Sequence, residues 1–228
     1  MQKILEDKNV YLENKTEYKS HGLEYYTHYE EIANVITHLL GGAFCLVGTI
    51  FLLLLADNVK EYIAAAVNGI VTCFPFFISV VYHSIKDVKK KLLARKIDHG
   101  CVCLVIMGCG VPLTLTLSNH PYNYVCIALA FAILITNLCL SLISVQKYSK
   151  ISLILDLVLA GIFTVCYIIN RTYIGVPSKI CYAIGSVLSL SSLIFFGKKK
   201  QFFHAIFHVL TALGTIVYYF AFILILKQ

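Results

Sequence analysis

The chain has 228 residues, of which 59% are hydrophobic and 14% charged, and its mean hydropathy is +0.80. Soluble domains carry about 45–50% apolar and about 25% charged residues, so this composition excludes an ordinary soluble domain. The formal charge of +7 does not indicate nucleic acid as a partner, because the basic residues stand in short segments beside long apolar runs. The composition predicts an all-α protein embedded in a membrane.

The predicted elements begin with a polar N-terminal arm, residues 1–30, which lacks the apolar segment of a signal peptide. We expect this short arm to face solvent on the cytoplasmic side. Residues 31–228 are predicted to form one transmembrane domain, because they contain seven apolar runs and about 20 apolar residues span a bilayer as a helix. The predicted spans cover residues 33–56, 62–85, 98–117, 121–145, 151–170, 177–197 and 203–226.

The orientation of the seven spans follows from the basic residues between them. Eleven lysines and arginines lie after spans 2, 4 and 6, and three lie in the alternate loops. Because basic residues are retained on the cytoplasmic side, we predict a cytoplasmic N-terminus, an extracellular C-terminus and a location in the cell membrane. The eleven are Lys86, Lys89, Lys90, Lys91, Arg95, Lys96, Lys147, Lys150, Lys198, Lys199 and Lys200, and the three are Lys60, Arg171 and Lys179.

Five polar side chains are predicted to lie at one depth, near the cytoplasmic ends of different spans. Ser79 and His83 close span 2, Asp98 opens span 3, and His204 and His208 open span 7. With a rise of 1.5 Å per residue, each lies roughly 3–12 Å inside the cytoplasmic boundary. Polar groups inside a membrane are costly and usually face the bundle interior, so we expect this set to form one site.

The two histidines of span 7 have the spacing of metal ligands. Residues at i and i+4 project from the same helix face, so His204 and His208 can point two imidazoles at one ion. His83 supplies a third nitrogen, and three protein ligands with one water form the usual open zinc site. Asp98 is then a candidate catalytic residue that accepts the proton of this water, or a fourth ligand. Ser79 can hydrogen-bond the water or a substrate carbonyl. For the histidine pair alone, the alternative is contact with lipid headgroups.

Four further side chains could support this site. Glu31, Asn34 and His38 lie at the cytoplasmic end of span 1, where they either form a hydrogen-bonded shell around the ligands or only cap and pack the helix. Asp156 lies about two turns inside span 5, and an intramembrane carboxylate is a functional candidate; the alternative is a hydrogen bond to a neighbouring helix. His99 lies about 100° round the helix from Asp98, so we expect it to contact headgroups.

Four short stretches of the sequence are similar to motifs of one family. Residues 31–38 read ExxNxxTH, residues 79–84 read SxxxHS, residues 98–100 read DHG, and residues 204–208 read HxxxH. With them the chain resembles the hemolysin III proteins and their relatives, the adiponectin and progestin receptors and the alkaline ceramidases, a superfamily of membrane hydrolases that cleave lipid amides. The resemblance implies a seven-helix bundle with a cytoplasmic N-terminus. It also implies a zinc ion held by His83, His204 and His208, with Asp98 contacting its water.

Three functions are compatible with these patterns. The first is a zinc-dependent hydrolase of a lipid amide or ester such as a ceramide, with membrane lipids as its partners. The second is a binding or signalling membrane protein in which structural zinc ties span 7 to spans 2 and 3. The third is a pore-forming cytolysin, which only the family name suggests. The sequence does not indicate an oligomeric state.

Overall fold

The structure, a computed structural model, describes residues 15–117, 121–198 and 200–227. The first 14 residues of the predicted arm and Lys199 of the basic loop lie outside these ranges. Across the described residues the chain is helical and contains no strand. Five helical stretches among them are long and apolar enough to cross a membrane, which confirms the prediction of an all-α, multi-pass membrane protein. They are His28–Leu55, Val59–Ser84, Val88–Thr116, Pro121–Tyr173 and Phe203–Leu226.

The long helices are numbered here in chain order, and residues 15–20 form a short helical segment before them. Thr27 starts the first one with a capping box: its hydroxyl oxygen accepts the N–H of Glu30, and the Glu30 carboxylate accepts the N–H of Thr27. The helices are α1 (His28–Leu55), α2 (Val59–Ser84), α3 (Val88–Gly100), α4 (Val102–Thr116), α5 (Pro121–Asn170), α6 (Val176–Ser192) and α7 (Phe203–Leu226), with a 3-10 turn at Arg171–Tyr173.

The stretch labelled α5 contains two of the predicted spans, and it consists of two helical halves that meet at a sharp bend. Its backbone leaves the helical conformation at Ser144, with φ −164° and ψ 109°. The Asn170 amide donates to Asn123 Oδ1 at 3.3 Å although the two residues are 47 positions apart. In a straight helix that separation would be about 70 Å. The two halves of α5 therefore lie antiparallel, and the chain reverses at the end of predicted span 4.

The third apolar stretch begins at Val88 rather than at the predicted residue 98. Asp87 starts α3, because its side chain accepts the backbone N–H of Lys90 at 2.8 Å. Most of the residues that follow are good helix formers, so the helix continues through a segment that was predicted to be a loop. Lys91 and Arg95 are only 1% and 7% exposed. Two of the basic residues assigned to that loop thus lie inside the protein.

Buried hydroxyl groups join the three helices that carry most of the candidate residues. Helix α1 packs against α2 and α7, and α2 packs against α3 and α4. The Tyr219 hydroxyl on α7 lies 3.0 Å from Thr49 Oγ1 on α1 and 2.7 Å from Thr72 Oγ1 on α2. These hydrogen bonds satisfy buried polar groups and fix α7 relative to α1 and α2.

The close contact between α4 and the second half of α5 gives a prediction for stability. A Cβ atom added at Gly110 would lie 2.1 Å from the Phe163 ring, whereas one added at Gly161 would meet nothing within 4 Å. We expect Gly110→Ala to destabilise the protein by about 1–3 kcal/mol through overpacking. Gly161→Ala, the matched control in α5, should be neutral or slightly stabilising, within about 1 kcal/mol. Thermal unfolding in detergent measures both, and equal melting temperatures for the two variants would contradict the packing described.

Candidate metal centre

Four imidazole rings converge where α1, α2 and α7 meet. His38 comes from α1, His83 from α2, and His204 and His208 from the first turns of α7. The His208 ring centroid lies 3.8 Å from that of His38 and 4.2 Å from that of His204. The His83 centroid lies 5.4 Å from His204 and 5.6 Å from His208. The structure brings the three predicted ligands together and adds His38 to them.

Four ring nitrogens of this cluster are buried without a partner among the described residues. Within the described part of the chain, Nε2 of His83, Nε2 of His208 and both ring nitrogens of His38 are buried without a hydrogen bond. One nitrogen from each of these three histidines lies within 4.8 Å of the others, and His204 borders the group. Buried polar atoms are normally satisfied, and imidazole is a preferred ligand of zinc and similar cations. This donor set therefore fits a metal ion.

A contact from α1 fixes the start of α7. Phe202, which precedes the helix, has a φ of 61° in the left-handed region. Its N–H donates to Glu30 Oε1 at 3.1 Å, which ties the start of α7 to the first turn of α1. His204 and His208 follow one turn apart, and both rings face the cluster, as their spacing predicts.

Asp98 accepts a hydrogen bond from Ser79 on α2, and it also lies close to His99, the next residue in the chain. The Ser79 hydroxyl donates to Asp98 Oδ1. His99 Nδ1 lies 3.3 Å from Asp98 Oδ2, so His99 is directed toward this carboxylate rather than toward headgroups. The backbone departs from helical geometry at Cys101, between α3 and α4. The Asp98–Ser79 pair, expected on the level of the histidines, thus forms beside a break in the helix.

Glu31 and Asn34 contact His83 from the start of α1. His83 Nδ1 donates to Glu31 Oε2 at 2.6 Å, and Asn34 Nδ2 lies 3.3 Å from the same ring nitrogen. A carboxylate such as that of Glu31, on the nitrogen that faces away from a metal, orients a ligand histidine and fixes its tautomer. Glu31 and Asn34 stand where supporting residues were expected, whereas His38 stands among the donors.

A cavity of about 640 Å³ leads away from the histidines between α4, α5, α6 and α7. Its wall includes Asp98, His204 and His208, together with many apolar side chains. Asp156 borders the same cavity and accepts a hydrogen bond from Asn137 at 2.9 Å. The partner of Asp156 lies in the facing half of α5, which is the alternative that the sequence left open for this carboxylate.

An aromatic residue of the N-terminal arm covers the histidine cluster. The ring of Tyr26 stacks on that of His204, with centroids 4.9 Å apart and an angle of 16° between the planes. Tyr26 also lies 5.6 Å from the His83 ring. Burial, with a smaller contribution from Glu24, raises the pKa of the Tyr26 hydroxyl well above its usual range. That hydroxyl donates to Glu24 at 2.9 Å.

The same arm is attached to α2 and α3 by a buried leucine and a hydrogen bond. Leu23 is 3% exposed and packs against Tyr82 and Ala94. The Arg95 guanidinium donates to the carbonyl of Gly22, which has a left-handed φ of 75°. The arm was expected to face solvent, but it does not do so at Leu23, because apolar and aromatic side chains close this end of the bundle.

Three residues next to the site were not identified from the sequence. Tyr26 and His99 carried no recognisable signal, because nothing in the residue pattern directs their rings inward. Lys91 carried a signal that could have been used: it lies seven residues before Asp98, so both project from nearly the same face of α3.

Fold and site together define a class of protein: a helical, multi-pass membrane protein with a buried cluster of histidines beside a carboxylate. The chain matches the family model of haemolysin-III related proteins over residues 26–219, and it belongs to that family. The resemblance inferred from the four motifs is confirmed.

Two bacterial relatives illustrate the extent of the similarity. The chain is 27% identical over 206 residues to Hemolysin-3 of Bacillus cereus, an alignment that covers 84% of this chain and 89% of the relative. It is 22% identical over 195 residues to a Hemolysin-3 homolog of Bacillus subtilis (strain 168), covering 84% and 92% respectively. The similarity therefore extends over most of each chain, and the family match over residues 26–219 includes all the residues of the candidate site.

Proposed function

We propose that this protein is a zinc-dependent membrane hydrolase that cleaves an amide or ester bond of a lipid. His83, His204 and His208 hold the metal. The observation that supports the proposal most is the convergence of imidazoles from separate helices: Nε2 of His83 and Nε2 of His208 are buried without a partner among the described residues, and the His204 ring lies 4.2 Å from that of His208. The Ser79–Asp98 pair lies on the same cavity as His204 and His208. Three protein ligands with one open position are the arrangement that zinc hydrolases use.

The chain's own residues would handle the proton. When bound, zinc supplies Lewis acidity and lowers the pKa of water to about 7. Asp98 accepts the proton of the attacking water and returns it to the leaving group, as a general base and then a general acid. Ser79 fixes the orientation of the Asp98 carboxylate through its hydrogen bond to Oδ1. His99 Nδ1 lies 3.3 Å from the other carboxylate oxygen, Oδ2.

The proposal includes a topology of seven crossings in the cell membrane. Both halves of α5 count as crossings, and α6, with 17 residues, is at the lower limit of length for one. The N-terminus lies in the cytoplasm and the C-terminus outside, an orientation that the distribution of basic residues supports. The histidines then lie near the cytoplasmic face.

The cavity supports a lipid substrate such as a ceramide, entering between helices. Its volume of about 640 Å³ is within the range of about 300–1,000 Å³ typical of small-molecule sites. Apolar side chains of the wall suit an acyl chain. Hydroxyl groups such as those of Ser186 and Tyr218, 2.8 Å apart, give the same wall a few polar contacts.

One observation favours a second function, in which the metal is structural. His38 lies among the donors with both ring nitrogens unpaired in the described part of the chain. If His38 also binds the ion, four protein ligands close the site, which is typical of structural zinc. The metal would then join α1, α2 and α7 in a binding or signalling protein without hydrolysis.

The test is metal analysis and lipid hydrolysis on the full chain purified in mild detergent. We expect about one zinc per chain, and hydrolysis of ceramide-type amides that stops on chelation and returns when zinc is added. Stoichiometric zinc without hydrolysis of any lipid amide or ester would support the structural role. Metal-independent release of dye from liposomes would instead support the cytolytic activity that the relatives' names indicate.

A further inference from the structure

A lysine is buried beside the candidate metal centre, where a charged side chain is costly unless it is paired. Lys91 is 1% exposed. Its Nζ donates to Glu31 Oε1 at 2.8 Å and to the backbone carbonyls of Tyr82 and Ile85, both at 3.1 Å. These three acceptors use all three hydrogens of the ammonium group. Nζ also lies 4.8 Å from the centroid of the Tyr82 ring, which adds a cation–π contact.

The carboxylate of Glu31 connects this lysine to a candidate ligand. Oε1 accepts from Lys91, while Oε2 accepts from Nδ1 of His83 at 2.6 Å. A carboxylate only accepts hydrogen bonds, so the 2.6 Å contact with Glu31 requires the His83 proton on Nδ1. The Asn34 amide nitrogen, which only donates, then lies 3.3 Å from Nδ1 without a hydrogen bond to it. That tautomer leaves Nε2 of His83 with a free lone pair, and Nε2 is the buried nitrogen without a partner among the described residues.

We propose that Lys91 is a positioning residue of the metal centre, acting through Glu31 on His83. The inference rests on the proposed metal site and adds a residue to it. By anchoring one oxygen of Glu31 and balancing its charge inside the protein, Lys91 holds the other oxygen against Nδ1. The His83 ring then keeps one orientation and one tautomer, with Nε2 toward the other imidazoles. Without Lys91, Glu31 can rotate away and leave the ring free to turn.

The local sequence explains why a lysine can reach this place. Asp87 caps α3, and Lys91 follows on its first turn with Arg95 one turn further on. Asp98 comes seven residues after Lys91, on nearly the same helix face. One face of α3 thus presents a cation that supports a ligand and a carboxylate that borders the same cluster. The neighbouring Lys89 and Lys90 are exposed, so they provide matched controls.

The experiment measures the dissociation constant for zinc on the full chain in detergent, by competition with a chromophoric chelator. The variants are Lys91→Met, Glu31→Gln, the double substitution and the control Lys90→Met. We expect Lys91→Met and Glu31→Gln each to weaken binding by about 10–100-fold, the usual effect of losing a partner behind a metal ligand. The double substitution should be no weaker than Glu31→Gln alone, since Lys91 acts through Glu31. Lys90→Met should bind as the unsubstituted protein does.

Each outcome decides the proposal. An unchanged dissociation constant in Lys91→Met, or losses that add in the double substitution, overturns the role of Lys91 while the metal site stands. A natural chain that binds no zinc overturns the metal site and this inference with it. If Lys91→Met does not fold because Glu31 is left unpaired, the comparison of Glu31→Gln with the double substitution carries the test: equal constants support the proposal and a weaker double variant overturns it.

Discussion

Substituting His208 with alanine should remove the metal from the protein. We expect zinc to fall from about one per chain to near zero, with the dissociation constant weakened by more than the roughly 100-fold that loss of a supporting partner causes. The reason is geometric: His208 is the central ring of the cluster, because its centroid lies 3.8 Å from that of His38 and 4.2 Å from that of His204. Its Nε2 is buried without a partner among the described residues. Metal content after gel filtration, and the shift in melting temperature on adding zinc, measure the effect.

His38 and His21 serve as the comparison for His208. His21 lies on the exposed part of the arm, so His21→Ala should retain the metal and controls for loss of any histidine. Under the proposed hydrolase, His38→Ala should keep most of its zinc, because His83, His204 and His208 still provide three nitrogens. Zinc lost as completely in His38→Ala as in His208→Ala would show four ligands and favour the structural role. A stoichiometric metal content in His208→Ala would contradict the site itself.

Substituting Asp98 with asparagine should abolish hydrolysis while the metal stays bound. Asparagine keeps the size of the side chain and can still accept the hydrogen bond from Ser79, but it cannot take up a proton. We expect kcat on a ceramide-type amide to fall by about 10²–10⁴-fold, the usual contribution of general acid–base catalysis. The measurement is a rate with excess substrate, paired with zinc content on the same sample.

The variant Ser79→Ala serves as the comparison for Asp98→Asn, because it alters the position of the Asp98 carboxylate without removing the carboxylate. Ser79→Ala keeps the carboxylate but removes its hydrogen bond, so turnover should fall by a smaller factor than in Asp98→Asn. If Asp98→Asn turned over at the natural rate, Asp98 would have no catalytic role. If it lost its zinc instead, Asp98 would be a ligand, which is the other role that the sequence allowed.

The axial position of the site was predictable because distance along a helix follows from residue number. Ser79, His83 and Asp98 were placed on the level of His204 and His208 by counting 1.5 Å per residue from the charged ends. The structure brings the three predicted ligand histidines together and joins Ser79 to Asp98. The rotation of α7 was also predictable, because its two histidines are one turn apart and must share a face.

The rest of the site could not be read in this way, since it depends on which helix faces meet. His38 was assigned to a supporting shell, but its ring lies 3.8 Å from that of His208 because α1 packs directly against α7. Lys91 was counted as a solvated loop residue, and it became a buried partner of Glu31 once α3 began at Val88. Tyr26 was not connected with the site, but the folded arm lays its ring over His204.

The sequence by itself determined that this is a helical membrane protein and that four motifs join it to the haemolysin-III related family, and it predicted that histidines and a carboxylate share one depth. Those properties follow from composition and from spacing along single helices, where geometry is fixed by the backbone. Only the tertiary structure decided that His38 lies with the other imidazoles, that Lys91 supports Glu31, and that the arm closes the site. These depend on the rotation and packing of separate helices, which many weak contacts set together and no local pattern encodes.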